Sequence, residues 1–210
     1  MSGANNNNQH PDTEQLILQA AEDEFLSKGF NGARTTAIAE KAGVTHAMLH
    51  YYFRTKEKLF DKVLEAKTSE MRGVMFGFID NETVSLTERI EKSMRRHFEY
   101  LLRNPRLPLF IINELSRNDN KAQKHLQINK EAANRIMVSL QDAIDTAAKN
   151  GECRKVNAQS LLLDIISLNV FSFIGAPLLE SVFPDIADRG AFLCHRLEEN
   201  IRTILNKLRP

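Results

Sequence analysis

The stretch TTAIAEKAGVTHAMLHYYFRTK, which runs from Thr35 to Lys56, contains the pattern that decides the fold. Small and apolar side chains recur through it at helical spacing: Ile38, Ala39, Ala42, Leu49 and Phe53. Gly43 separates the first group from the second, and glycine can take the left-handed backbone conformation that a tight turn requires. The pattern therefore predicts a helix-turn-helix arrangement, in which the second helix faces the DNA major groove.

The outward side of the second helix combines hydroxyl, imidazole and aromatic groups: Thr45, His46, Met48, His50, Tyr51 and Tyr52. Such groups can bond to phosphates or to base edges. Thr55 is expected to cap the next helix, where Lys56 adds a cation near an amino terminus that already attracts phosphate. Arg34, Thr35 and Thr36 can hold another phosphate, although the sequence does not show which threonine caps the first helix. The alternative is a solvated helix that carries aromatic residues by chance.

Together with the helix before it, this region resembles the amino-terminal domain of the TetR family of transcriptional repressors. The residues that carry the resemblance are Ile17, Ala20, Ala21, Phe25, Gly29, Phe30, Ile38, Ala39, Ala42, Gly43, Val44, Leu49, Phe53, Lys56 and Leu59. The resemblance implies a homodimer that binds double-stranded DNA. Family members usually carry tyrosine where this chain has His50, so the phosphate contact of that tyrosine would pass to His50, or to Tyr51 and Tyr52. They also carry serine or threonine where this chain has Arg34.

Composition is ordinary for a globular chain, with 42% hydrophobic and 26% charged residues among 210. No apolar run reaches the roughly 18 residues of a transmembrane helix and no secretion signal is evident, so we expect a cytoplasmic protein with no membrane partner. The net charge is only +1, but seven cations face three carboxylates between Lys28 and Lys62. Cys153 and Cys194 lack the spacing of a disulfide framework or a zinc site.

The order of the segments predicts an all-α chain of about nine helices. We expect a disordered tail at 1–11, a helix-turn-helix domain at 12–55, a connecting helix at 56–80 and a helical ligand-binding and dimerisation domain at 81–210. Asp12 or Thr13 would cap the first helix and Gly29 would end it. Gly73 and Gly77 are weak points at which the connecting helix is expected to bend or break.

The last two helices are the predicted dimer interface. Residues 156–183 are the most apolar part of the chain, and residues 185–208 carry apolar residues near heptad spacing. Two such helices from each subunit would form a four-helix bundle with two-fold symmetry. The alternative is that these helices form the core of a single subunit.

A small-molecule pocket is predicted from large apolar side chains and from amides that interrupt apolar stretches. The candidate lining residues are Met75, Phe78, Met94, Phe98, Phe110, Asn113, Met137, Asn169, Phe171 and Phe173, with Glu114 as a further polar residue. Cavities between helices are lined by such mixtures, and this one would suit a small apolar or amphipathic effector. The alternative is an ordinary core of aromatic residues and methionines.

The sequence offers little support for catalysis or for a cofactor. His46 and His50 are four residues apart on a helix, but HAMLH lacks the glutamate of HExxH and no third metal ligand is near. Neither a glycine-rich phosphate loop nor a GxSxG motif occurs. The favoured interpretation is a repressor that contacts the phosphates of a palindromic operator through Arg34, Thr36, Tyr51, Tyr52 and Lys56, and reads bases through Thr45, His46 and Met48. The alternative is an all-α ligand-binding or scaffolding protein whose helix-turn-helix is non-functional.

Overall fold

The computed structural model of the chain describes residues 10–76, 84–116, 130–183 and 188–210, and no strand occurs among them. The described residues form ten helices: α1 (His10–Gly32), α2 (Thr35–Lys41), α3 (His46–Phe53), α4 (Lys56–Phe76), α5 (Leu86–Arg103), α6 (Leu107–Ser116), α7 (Lys130–Lys149), α8 (Ala158–Ile174), α9 (Ala176–Val182) and α10 (Arg189–Leu208). The all-α prediction is confirmed, and the predicted number of helices is close to the number found.

The chain folds as two compact units. The first comprises the described residues within Met1–Ser69 and Phe110–His125, and the second those within Glu70–Leu109 and Leu126–Pro210. The division falls inside α4, which lies within residues 56–80, the segment predicted as a connecting helix. It also falls inside α6, so that part of this helix belongs to the first unit.

The first unit is built on apolar side chains from α1 to α4. Its buried residues include Ile17, Ala20, Ala21, Phe25, Ile38, Ala39, Leu49, Phe53, Leu59, Val63 and Leu64. Phe60 lies among three other rings, with its centroid 5.0 Å from those of Phe25 and Phe30 and 5.9 Å from that of Phe110. Each buried phenylalanine contributes about 1.5–3 kcal/mol, so this cluster holds α1, α4 and the part of α6 in the first unit together.

The limits of α1 differ in detail from the prediction. The helix begins at His10, before the two residues expected to cap it, and the rest of the predicted tail lies outside the described residues. Near its end Gly29 has non-helical angles (φ 66°, ψ 176°), and the remaining turn of helix follows to Gly32. The glycine therefore interrupts the helix at the position where the sequence predicted its end.

The second unit has a core formed by α5, α7, α8 and α10. Its buried residues include Leu86, Ile90, Met94, Leu140, Ile144, Leu161, Ile165, Ile201, Ile204 and Leu208. α5 begins at the cap Ser85, whose hydroxyl accepts a hydrogen bond from the backbone N–H of Glu88 at 3.3 Å. α4 continues through Gly73 to Phe76, so the predicted break does not occur at that glycine, and Gly77 lies outside the described residues.

No single helix in the described parts of the chain has the length and apolar character needed to cross a membrane. α8 and α9 meet these criteria only as a pair, across a bend of 59°.

Candidate nucleic-acid interface

The turn between α2 and α3 is held by backbone hydrogen bonds. Gly43 has φ +69°, its N–H donates to the carbonyl of Glu40 at 3.1 Å, and the N–H of Val44 donates to that of Ala39 at 3.0 Å. These two bonds form a Schellman motif, which satisfies carbonyls at the end of α2 and reverses the chain. Because Leu49 on α3 is buried, the reversed chain presents the opposite side of α3 outward.

α2 begins without a side-chain cap of its own. Arg34 occupies the N-cap in an extended conformation, so neither threonine caps the helix. The buried Glu24 carboxylate accepts the Arg34 N–H at 3.3 Å and the Lys28 ammonium at 2.8 Å. The hydrogen-bonded ion pair with Lys28 lowers the pKa of the Glu24 carboxyl below its ordinary value. An acid ten residues upstream therefore stabilises the start of α2.

The start of α3 is fixed by two side chains. The Thr45 hydroxyl accepts a hydrogen bond from the N–H of Met48 at 3.2 Å, which makes Thr45 the N-cap of α3. The Nε2 atom of His46 lies 3.0 Å from the Thr35 hydroxyl at the start of α2. The second of these contacts links the beginning of α3 to the beginning of α2.

The end of α3 has a tight turn at Arg54, a non-glycine residue with φ +59°. The His50 ring leans toward this turn, and its Nδ1 lies 2.9 Å from the Arg54 carbonyl oxygen. The Arg54 guanidinium lies 5.9 Å from the centroid of the Tyr51 ring. Thr55 caps α4 as predicted, accepting a bond from the N–H of Lys58 at 3.2 Å.

Lys56 is held inside the first unit. Its ammonium donates to the Ala33 carbonyl at 2.5 Å and lies 4.9 Å from the centroid of the Phe30 ring. An ammonium has three donors, so other bonds remain open to it. Its observed role is to join the start of α4 to the turn between α1 and α2, which the sequence did not indicate.

Several of the predicted DNA-binding side chains contact one another near the two ends of α3. Contacts run from Thr35 to His46, on to His50 with ring centroids 4.5 Å apart, and from Arg54 through Tyr51 to Tyr52. The exposed members are Arg34, Thr36, Thr45, His46, Met48, His50 and Tyr51, while Thr35, Tyr52 and Lys56 are half-buried. Hydroxyl, imidazole and guanidinium groups are therefore exposed together on α3 and at its two ends, and this surface is called the α3 face below.

The residues predicted to bind a ligand belong to both units and differ in their exposure. Phe110 and the exposed Asn113 belong to the first unit, Phe171 is 60% exposed, and Phe78 lies outside the described residues. Buried in the second unit are Met75, Met94, Phe98, Asn169 and Phe173, with Met137 half-buried. The rings of Phe98 and Phe173 pack 4.9 Å apart. Glu114 accepts the backbone N–H of Phe30 at 3.2 Å in the first unit.

Asn169 belongs to a buried polar network whose hydrogen-bond directions are fixed. The Arg196 guanidinium lies 2.9 Å from the Asn200 side chain. Because arginine only donates, the Asn200 atom in this bond must be the amide oxygen. The Asn200 amide nitrogen then donates to Asn169 at 3.2 Å, and the Asn169 nitrogen donates to the Met94 carbonyl and to Nδ1 of His97, both at 3.2 Å. Burial lowers the pKa of His97 to about 4, so the ring is neutral at pH 7.

An open groove of about 1050 Å³ lies elsewhere on the second unit. The start of α5 and one side of α7 form it, with Ser85, Arg89, Arg135 and Asp142 among its lining residues. None of the predicted ligand-binding residues lines this groove. Within the described ranges, no group of three or more histidine, cysteine or carboxylate side chains is placed to hold a metal ion.

Two short helices joined by a tight turn, here α2 and α3 with Gly43 between them, form a helix-turn-helix motif. Residues 17–63 match the family described as bacterial regulatory proteins, tetR family. The match supports the resemblance that the sequence predicted, over residues that run from within α1 to within α4.

Curated relatives that are transcriptional regulators match short stretches of the chain. Over 50 residues the chain is 50% identical to the HTH-type transcriptional regulator RutR of Escherichia coli (strain K12), which is 24% of either chain. Over 53 residues it is 45% identical to the HTH-type transcriptional repressor NicS of Pseudomonas putida, which is 25% of either chain. The chain thus spans less than half of the length of the curated relatives it matches.

The similarity in fold extends further than the similarity in sequence. A TetR family transcription regulator from Marinobacter aquaeolei VT8 matches with a TM-score of 0.66 and 17% identity, over 94% of this chain and 96% of that one. At this identity the match shows a shared fold and carries no information about a ligand.

Proposed function

We propose that this protein is a transcriptional repressor that binds a palindromic DNA site as a homodimer and leaves it when a small apolar or amphipathic effector binds. The observation that carries the proposal is the α3 face, where polar and aromatic groups are exposed on a helix whose opposite side is buried. The start of this helix has an N-cap, Thr45, and is linked to α2 by the contact of His46 with Thr35. The match of residues 17–63 to the tetR family supports the same proposal.

Phosphate contacts would come from Arg34, Thr36, Tyr51 and Tyr52, and base contacts from the start of α3. Thr45 uses one lone pair as the cap of α3, but its hydroxyl proton is still available to a base or a phosphate. His46 and Met48 lie beside it in the first turn, which is the part of a recognition helix that reaches base edges. Lys56 would contact a phosphate only with the N–H groups that Ala33 does not engage.

The salt dependence of binding tests the phosphate contacts. If each subunit neutralises about three phosphates, log affinity falls with log salt concentration at a slope near −5. Genomic fragments bound by the purified protein provide the duplex, and fluorescence anisotropy across a salt series gives the slope. Affinity that does not respond to salt contradicts the phosphate contacts, and failure to enrich any fragment favours the alternative of a non-functional helix-turn-helix.

Dimerisation through the predicted helices is supported more by α8 and α9 than by α10. Most apolar side chains of α10 are used within the subunit, where Leu193, Ile201, Ile204 and Leu208 are buried. By contrast, Leu163 and Phe171 lie eight residues apart on α8 and are 64% and 60% exposed. On the adjoining α9 and its end, the exposed apolar residues are Leu178, Val182 and Phe183. A second copy that packs on α8 would cover these side chains by two-fold symmetry.

Replacing Phe171 with glutamate tests the dimer. The matched control is Leu102→Glu on α5, which changes another exposed apolar side chain of the same unit, 45% exposed. Light scattering after gel filtration should report monomers for Phe171→Glu and dimers for the control. Dimers in both variants would contradict the use of α8.

Release by an effector would require α4 to transmit a change between the two units. α4 is suited to this because it continues without interruption across the division of the chain after Ser69. We expect the effector to change the separation of the two α3 helices from about 34 Å, one turn of DNA. Distances between spin labels on α3, measured with and without a compound that abolishes DNA binding, test this. Unchanged distances would exclude the mechanism.

A further inference from the structure

His50 is held in one tautomer by the turn that follows α3. Its Nδ1 lies 2.9 Å from the Arg54 carbonyl oxygen. A carbonyl oxygen can only accept, so Nδ1 must carry the hydrogen. In the neutral ring the other nitrogen, Nε2, is then an acceptor and cannot donate to a phosphate oxygen. The ring can donate from Nε2 only as an imidazolium, which keeps the bond to Arg54.

The surroundings of His50 include cations and neutral groups. The His46 ring lies beside the His50 ring at a centroid distance of 4.5 Å, and the nearby C-cap Arg54 has its guanidinium over the Tyr51 ring. On α2 the uncharged Thr35 contacts His46, the ring that packs against His50. Within the described ranges, no carboxylate forms a hydrogen bond or ion pair with His50. An anion that stabilises the imidazolium must therefore come from outside the protein.

We propose that His50 contacts a DNA phosphate as an imidazolium through Nε2, so that each subunit takes up a proton from solvent when DNA binds. The proposal rests on the proposed function and identifies the protonation state that DNA binding requires. The position of the ring favours a phosphate over a base. The bond to Arg54 draws it toward the carboxyl end of α3, while the first residues of a recognition helix reach the base edges. The carboxyl end of a helix also favours a cation.

The sign of the pH dependence distinguishes a phosphate contact of His50 from a hydrogen bond that His50 would accept from a base. A proton taken up on binding makes affinity rise as pH falls, with a slope of log affinity against pH that reaches at most −1 for each subunit and −2 for a dimer. A tenfold preference of the phosphate site for the imidazolium over the neutral ring gives each subunit a tenfold gain in affinity across the whole titration. If Nε2 instead accepted a hydrogen bond from a base amino group, protonation would oppose binding and affinity would fall with falling pH.

The experiment uses the full chain and a duplex selected from bound fragments. Anisotropy titrations at constant ionic strength from about pH 6 to 8.5 give the slope, because histidine changes charge in this interval. The substitution His50→Asn supplies an amide that can donate to the Arg54 carbonyl but does not titrate, so the profile of this variant should be close to flat. His195→Gln on α10, an exposed histidine far along the chain from α3, should keep the wild-type profile.

Further variants and a second measurement make the outcome decisive. His46→Gln should keep the slope even if it weakens binding, and loss of the slope in that variant would assign the proton to His46 and overturn the proposal. Calorimetric titrations of the wild type in buffers of different ionisation enthalpy count the protons directly, and a count of zero overturns it without any variant. A full slope in His50→Asn, or a slope of opposite sign, does the same. Absence of DNA binding at every pH overturns the proposed function, whereas binding that ignores pH overturns this inference alone.

Discussion

Replacing Gly43 with alanine tests whether the turn between α2 and α3 depends on a left-handed backbone. Gly43 has φ +69°, and an added Cβ would meet no atom within 4 Å. Steric collision with the rest of the protein is therefore excluded, and the cost comes only from the conformation of the residue itself. An alanine in the left-handed region costs roughly 1–2 kcal/mol. Its smaller loss of backbone entropy on folding returns part of this, so we expect a net loss of about 1 kcal/mol.

Gly73 provides a matched control with the same chemical change. It lies inside α4, its φ is not positive, and an added Cβ would likewise meet no atom within 4 Å. Alanine in a helix interior gains roughly 0.5–1 kcal/mol over glycine. The two substitutions should therefore change stability in opposite directions, although both add one methyl group to open space. Asparagine at position 43 should cost less than alanine, because asparagine tolerates left-handed angles.

Thermal unfolding followed by far-ultraviolet circular dichroism measures both effects. A change of about 1 kcal/mol shifts the midpoint by about 2–4 °C in a chain of this size. Gly43→Ala should lower the midpoint and Gly73→Ala should raise it. Because the chain has two units, the transitions must be fitted separately if they do not coincide. The reasoning is refuted if both variants shift in the same direction, or if Gly43→Ala has no effect on stability or on DNA affinity.

Two further predictions concern buried polar groups. Glu24→Gln should cost about 1–2 kcal/mol at pH 7, because the charged acceptor of the Lys28 ammonium and the Arg34 N–H is lost. Since folding lowers the pKa of this carboxyl, its contribution to stability is present above about pH 4.5 and is lost as the pH falls. The free energies of unfolding of wild type and variant, measured in urea, should therefore converge in acid. A difference that stays constant with pH would contradict this. Asn169→Ala should cost about 2–4 kcal/mol, because it leaves partners of a fully buried network unsatisfied. Combined with Asn200→Ala in urea denaturation, it should cost less than the sum of the single changes, and strict additivity would show that the two amides act independently.

Local patterns were sufficient to predict the helix-turn-helix from sequence. The turn needs a glycine with positive φ, and the buried sides of α2 and α3 follow from side chains at helical spacing. The cap Thr55 follows from the identity of one residue at one position. Each of these features depends on residues only a few positions apart, so local sequence is enough to predict it.

Contacts between distant segments could not be read in the same way. The N–H of Arg34 is bonded by Glu24, and the ammonium of Lys56 is bonded to Ala33, although the sequence suggested threonine capping and a free phosphate ligand. A carboxylate or an ammonium on a helix shows its charge in the sequence but not the direction in which it points. Only the packing of α1 against the next helices decides whether such a group faces the protein or the solvent.

The predicted ligand pocket stays a prediction, because side-chain spacing does not distinguish a cavity from a packed core. A methionine or phenylalanine has the same spacing whether it faces a cavity or another ring, as Phe98 and Phe173 do at 4.9 Å. Asn169 interrupts an apolar run, and the sequence suggested a polar anchor for a ligand. Its amide instead makes hydrogen bonds to α5 and α10, which shows that a polar residue in an apolar helix can have its partners on neighbouring helices.

The proposed dimer surface likewise depends on packing that the sequence does not show. Heptad-like spacing on α10 shows that one side of this helix is covered, but not whether the cover is its own subunit or a partner. In the structure α8 and α5 provide contacts to α10 within the subunit, whereas Phe171 on α8 stays exposed. Gly175 has its own part in this arrangement, because a Cβ there would lie 2.9 Å from an atom of the Phe171 ring. The glycine thus permits the ring to lie against the bend between α8 and α9. Burying a large exposed apolar side chain such as Phe171 is favourable, so a partner that covers it would stabilise an assembly.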